Sequence, residues 1–260
     1  MSIKSKVLAA AAALTIAGTL AAAGATAASA GTPSCGPNCL DVFSKQFGTY
    51  HHPGFVLDVF RQGEKVGQPI ILFRQSNSDP AEDFTYSEQG QVSDFYAAGL
   101  VSSAFNLHYG CNWNNNTNTC GNGFPDLYAF EVQYSPFGVE SGLCVGVAAT
   151  ATAGEKVTLQ PCGVSAKTVW AVDTLDSCPT NPLYSFEAQV INGSDTNFSL
   201  PFVLDYPASG YPTDVPRPQL FVDNLKGFSQ SGGGSGLCGG LAVTGPDTNQ
   251  LWGARTGVLP

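Results

Sequence analysis

Charge is scarce in this chain of 260 residues: only 12% are Asp, Glu, Lys or Arg, about half of the roughly 25% usual in soluble domains. That excludes a charge-driven disordered chain. Bases are scarcer than acids, 11 against 20, and the net charge of −9 offers no footprint for a phosphate backbone, so nucleic acid is not an expected partner. Three histidines, His51, His52 and His108, are the whole supply of neutral-pH bases, and none stands in a nucleophile motif. G-x-S-x-G does not occur. C-x-x-C does not occur either, which removes the usual spacing of a thiolate zinc site. The His51-His52 pair before Pro53 reads as an exposed turn, since it brings no third ligand. Any two of the 20 carboxylates can be paired on paper for glycoside hydrolysis, so no pair is informative. The chain is therefore expected to be no enzyme, with no cofactor and no metal; an extracellular hydrolase is the weakest of the readings kept.

What the chain has in quantity is Gly, 30, and Pro, 17. Both interrupt helices and serve turns, which predicts many short strands. Lys4 and Lys6 precede an uncharged, Ala-rich run from Val7 to Ala30 that ends Ala28-Ser29-Ala30. A basic start, an apolar middle and a small-residue cleavage site make residues 1–30 an export signal, bacterial in style. A membrane anchor is the alternative reading of this length, but Gly18, Thr19, Gly24, Thr26 and Ser29 dilute it. Cleavage leaves one domain, 31–260, and removing two of the 11 bases takes its net charge from −9 to −11. No second long apolar run follows, so a secreted, extracellular protein without membrane attachment is expected. Export also gives the 8 Cys an oxidising compartment, and an even number there implies disulfides. Cys111 and Cys120 bracket a polar loop, Cys144 and Cys162 flank a hairpin, and Cys35 and Cys39 are close enough to join, which leaves Cys178 with Cys238.

Three apolar strands share a rhythm: Phe55-Val56-Leu57-Asp58-Val59, Leu143-Cys144-Val145-Gly146-Val147 and Phe202-Val203-Leu204-Asp205-Tyr206. After the first two, a Gly-containing turn leads into a second strand, Ile70–Phe73 and Val157–Gln160, and each unit closes on an aromatic: Phe84, Trp170 and, later, Trp252. L-Y-x-F-E-x-Q occurs at 127–133 and again at 183–189. Short repeats that cannot bury their own faces must pack on one another, and three of them closing into a barrel remove exposed sheet edges.

Gly142-Leu143-Cys144-Val145, Val157-Thr158-Leu159-Gln160-Pro161-Cys162, Trp170 and Asn249-Gln250-Leu251-Trp252 resemble the ricin-type β-trefoil lectins, with their Cys-bounded hairpin and closing Q-x-W. The resemblance implies an all-β, trefoil-like domain with lobes near 44–100, 124–175 and 183–255 and long insertions at 87–125 and 226–246; a β-sandwich is the alternative. It also implies a sugar held by an Asp of the first hairpin strand, an aromatic platform, and an Asn or Gln before the closing aromatic. The chemistry stands without the name: a carboxylate accepts from vicinal hydroxyls while a ring packs on the C–H face. Asp205, Asn249 and Gln250, with Tyr206, Tyr211 or Phe221 as platform, make the third lobe the expected ligand site. Asp58 and Phe73 make the first a secondary candidate, although Glu82 and Asp83 replace amides there and three crowded acids require a proton or a cation. The second lobe, with Gly146 and Gln160, is expected to be structural. Asp79, Glu82 and Asp83 are read as solvated surface rather than a calcium loop. The expected partner is a glycan or polysaccharide. The other reading is a secreted interaction module that presents loop 87–125, with Trp113 between Cys111 and Cys120, to an extracellular protein.

Overall fold

A computed structural model describes residues 34–48, 54–76, 78–110, 126–173, 185–207, 218–226 and 248–256. The expected export signal, His51, His52, Tyr211, Trp113, the Gly-rich run 231–236 and the expected pairs Cys111–Cys120 and Cys178–Cys238 lie outside the described residues.

The described residues form twelve strands: β1 (Leu40–Ser44), β2 (Phe55–Val59), β3 (Ile70–Arg74), β4 (Phe84–Gln91), β5 (Tyr128–Tyr134), β6 (Leu143–Val147), β7 (Val157–Pro161), β8 (Trp170–Asp173), β9 (Ser185–Asn192), β10 (Phe202–Asp205), β11 (Phe221–Asn224) and β12 (Trp252–Thr256). Antiparallel pairs run β4 to β5, β5 to β8, β8 to β9, β9 to β12 and β12 to β1, and β4 lies against β1. Those six strands form a barrel. The other six are the hairpins β2–β3, β6–β7 and β10–β11, one per lobe. The hairpins bond to each other in a triangle: Gly67 N–H donates to Leu159 O at 2.8 Å, Val157 N–H to Leu220 O at 2.9 Å and Leu220 N–H to Ile70 O at 3.0 Å. Six barrel strands with three mutually bonded hairpins are the β-trefoil topology, and the sandwich alternative falls with it.

Register fixes which residues of the lobes correspond. Asp58 stands opposite Ile71, Gly146 opposite Thr158 and Asp205 opposite Phe221, so Asp58, Gly146 and Asp205 share one position. The closing aromatics Phe84, Trp170 and Trp252 are buried in one core with Leu57, Val145 and Leu204. Trp170 and Trp252 each spend the indole N–H on the hairpin carbonyl beside them, Val145 O and Leu204 O, both at 2.9 Å. Burying such a ring is favourable only when that donor finds a partner.

The L-Y-x-F-E-x-Q match falls on β5 and β9, but it is not the structural alignment. Gln133 pairs with Cys144 and Ile191 with Val203, so Gln133 corresponds to Ile191 and Glu131 to Gln189. The motif is offset by two residues, a shift that a strand tolerates because its side chains alternate with a period of two.

The insertion after β4 contains helices that the Gly and Pro content argued against: α1 (Val92–Ala97) and α2 (Ser103–Tyr109). They are short and begin on side-chain caps. Asp94 accepts from Gln91 N–H at 2.9 Å, and Ser102 Oγ from Phe105 N–H at 3.1 Å. Phe95, Phe105, Tyr109 and Val101 pack with Ile191 and Val203 into a second core outside the barrel. No helix of the described residues is long and apolar enough to cross a membrane.

Candidate functional site

In the third lobe the end of β10 meets the turn before β12. A short 3-10 turn at Thr248–Gln250 points two side-chain amides back at Asp205. Asn249 Nδ2 donates to Asp205 Oδ1 at 2.6 Å and to Tyr206 O at 2.9 Å, and Gln250 Nε2 donates to Asp205 Oδ2 at 2.8 Å. Gln250 Oε1 accepts from Lys226 N–H at 2.8 Å. The structure thus brings the three expected polar residues together, and it buries them: Asp205 and Gln250 are 0% exposed and Asn249 3%. Burial raises the Asp205 pKa above the ordinary range, while the Gln250 and Lys226 hydrogen bonds and the Lys226 charge pull it back.

Lys226, just after β11, is the residue that the motifs did not reveal. Its Nζ lies 3.2 Å from Asp205 Oδ2 and 3.1 Å from Asp223 Oδ2, with the lysine side chain 39% exposed. Burial alone would lower its pKa; the Asp223 and Asp205 contacts outweigh that and raise it. Aligning the lobes residue by residue is the signal that finds it, because Lys226 takes the place of Ser76 and Gly163, two residues beyond the paired ends Arg74, Pro161 and Asn224.

The platforms need correction. Tyr206 is buried at 2% in the central core, edge-on to Phe47 at 5.5 Å, so it presents no stacking face. Phe221 is half-buried directly opposite Asp205, with Lys156 Nζ 5.1 Å from its ring centre. Register places Asp223, not an aromatic, at the position of Phe73 and Gln160.

The second lobe is closed by sterics. A Cβ on Gly146 would meet Lys167 O at 2.6 Å and Thr168 Cγ2 at 2.9 Å, so no aspartate fits there. Its counterpart of the Gln250–Lys226 bond uses Glu131, whose two oxygens accept from Gly163 N–H at 3.0 Å and whose Oε1 also accepts from Thr168 Oγ1. Cys144 and Cys162 are disulfide-bonded across this hairpin, and Cys35 and Cys39 are bonded before β1.

The first lobe keeps the carboxylate but has an acid where the third lobe has the Gln250 amide. Asp58 is buried, and Glu82 occupies the place of Gln250. Glu82 Oε2 accepts from Ser76 N–H at 2.7 Å, as Gln250 Oε1 does from Lys226. The reading of Asp79, Glu82 and Asp83 as solvated surface is overturned for the last two, which are 6% and 3% exposed. Asp83 turns away from the others: it accepts from Ser34 Oγ at 2.6 Å and from Phe137 N–H at 2.7 Å, tying the first disulfide segment to the turn after β5. Burial, offset by the Ser76 bond and reinforced by Asp58, Asp79 and Asp41, pushes Glu82 up to about 9. Phe73 is half-buried opposite Val56.

No family model and no curated protein matches the chain. Among solved structures it is similar to ThreeFoil, a designed threefold-symmetric protein, at 11% identity and a TM-score of 0.43, over 85% of this chain and 99% of that one. It is also similar to a mosquitocidal holotoxin at 10% identity and a TM-score of 0.44, over 84% of this chain and 17% of the toxin.

Proposed function

We propose that the chain is an exported β-trefoil that binds carbohydrate through its third lobe and performs no chemistry on it. One observation carries the reading: among the described residues, the hairpin position of Asp205 combines a carboxylate with two side-chain amides that orient it. A pre-oriented acceptor is what vicinal hydroxyls need. Among the described residues, the charged group on Asp205 Oδ2 is the half-exposed Lys226, which already has a second partner in Asp223, so moving it aside leaves its charge paired. The disulfides at Cys35–Cys39 and Cys144–Cys162 support export, since such bonds persist in oxidising compartments.

The test is retention of residues 31–260 by a glycan array or immobilised polysaccharides, with Asp205→Ala and Asp58→Ala beside the parent. Loss of binding in Asp205→Ala with binding kept in Asp58→Ala is expected. A folded parent retained by no glycan removes the reading. An activity screen against the retained glycans that yields product would remove the non-catalytic part.

A second reading, a protein-interaction module, is favoured by the insertion. α1 and α2 have their own core and hold Tyr96 and Leu107 outward at 43% and 68% exposure. A stoichiometric protein partner captured from culture supernatant and unmoved by free sugars favours it.

A further inference from the structure

The first lobe repeats the third-lobe arrangement with its donors replaced: Glu82 stands for Gln250, Ala81 for Asn249 and Ser76 for Lys226, which adds one negative charge and removes a positive one. In the third lobe, Gln250 uses its oxygen on a backbone N–H and its nitrogen on Asp205. In the first, Glu82 uses Oε2 on the equivalent backbone N–H, of Ser76, so Oε1 takes the place of the donor nitrogen. Glu82 Oε1 has no hydrogen-bond partner among the described residues, and Glu82 is 6% exposed. A buried carboxylate oxygen without a donor or cation is costly, and here it faces further negative charge. One oxygen each from Asp58, Asp79 and Glu82 all lie within 4.8 Å of one another.

We propose that Asp58, Asp79 and Glu82 form a binding site for one divalent, oxygen-seeking cation of the calcium class. Calcium bonds oxygen at about 2.3–2.6 Å, so ligands on opposite sides of the ion stand about 4.6–5.2 Å apart and adjacent ones closer; three oxygens within 4.8 Å of one another are close enough to share one ion. Magnesium demands near-ideal octahedral geometry and keeps several of its waters, which a set of largely buried carboxylates accommodates less readily. Asp79 is pre-set for the role: its Oδ1 accepts from Ala81 N–H and Gln62 Nε2, both at 3.0 Å, which fixes the carboxylate. The sequence grouped Asp58 with Glu82 and Asp83; the fold keeps Asp58 and Glu82 and puts Asp79, not Asp83, beside them. The site lies in a different lobe from Asp205, so it stands or falls separately from carbohydrate binding.

The test is calcium titration of residues 31–260 after chelation, read by calorimetry and by thermal melting. One saturable equivalent is expected, with a rise in Tm of about 3–6 °C at millimolar calcium that excess EGTA reverses. Asp79→Asn and Glu82→Gln should each weaken calcium binding at least tenfold, and Glu88→Gln, an exposed acid further along β4, should not. Glu82→Gln is expected to fold, because Gln250 already fills that position in the third lobe. No saturable calcium uptake by the parent overturns the proposal. So does uptake that survives in both Asp79→Asn and Glu82→Gln. A parent indifferent to calcium, with Glu82→Gln melting higher in chelator, assigns the missing positive charge to a proton and equally overturns it.

Discussion

Gln250 Nε2 reaches Asp205 Oδ2 at 2.8 Å across 45 residues of sequence, joining the hairpin of the third lobe to the turn that closes its barrel strand. Gln250→Glu converts that donor into a second carboxylate in a buried place. The expected cost is about 1–3 kcal/mol at pH 7, read as a shift in the urea midpoint. The loss should shrink at pH 5, where the new acid takes up a proton, and should fall when Asp205→Asn is added.

Trp252→Phe and Trp170→Phe keep a ring, as Phe84 does in the first lobe, but remove the indole N–H from Leu204 O and Val145 O. Each variant should lose about 1–2 kcal/mol by chemical denaturation through the stranded carbonyl. Wild-type stability in both would show that the two carbonyls find other donors.

Gly146→Ala should cost about 1–3 kcal/mol, because the added methyl meets Lys167 O and Thr168. Gly146→Asp is then expected to unfold the lobe rather than give it a ligand-type carboxylate. Thermal melting of both variants checks this.

Asp195, in the turn between β9 and β10, accepts from Asn197 N–H at 2.9 Å. Burial pushes it up to about 6, against the downward pull of the backbone N–H groups of Asn197, Phe202 and Thr196. An acid whose folded-state pKa lies above its unfolded one stabilises fully below the unfolded value and loses that contribution as pH climbs through the folded one. Stability should therefore decline between about pH 4 and 6 from this group, and Asp195→Asn should flatten that segment of a stability-against-pH curve.

Removing the Cys144–Cys162 bond, which spans 18 residues, should cost about 3 kcal/mol by the chain-entropy argument. Denaturation of Cys144→Ala/Cys162→Ala against the oxidised parent measures it.

The strand repeats were readable because Phe55–Val59, Leu143–Val147 and Phe202–Asp205 bury a whole apolar segment against a turn, and such segments show in composition alone. The convergence of Asp205 with Asn249 and Gln250 was legible through the ricin-type resemblance, which pairs an Asp of the hairpin strand with an amide before the closing aromatic. Exposure was not. Sequence does not say that Asp205 lies beneath Lys226, or that Tyr206 is core, because a tyrosine beside a strand end serves either role until its neighbours are placed. The offset of L-Y-x-F-E-x-Q shows a further limit: similarity of letters along a strand survives a two-residue slide. The helices at 92–110 escaped because caps at Asp94 and Ser102 and a docking surface on Ile191 and Val203 outweigh a local composition poor in helix formers.

The triangle of main-chain bonds among the three hairpins makes each lobe the keystone of the other two. Gly154 and Val222, and Leu159 and Gln68, are joined across lobe boundaries by the same kind of bond that joins neighbours within a hairpin. A single lobe cut free would leave those amides and carbonyls facing water along with the apolar side chains it shares with the common core, so the unit that persists in solution is the whole ring, and damage to any one hairpin is felt by all three.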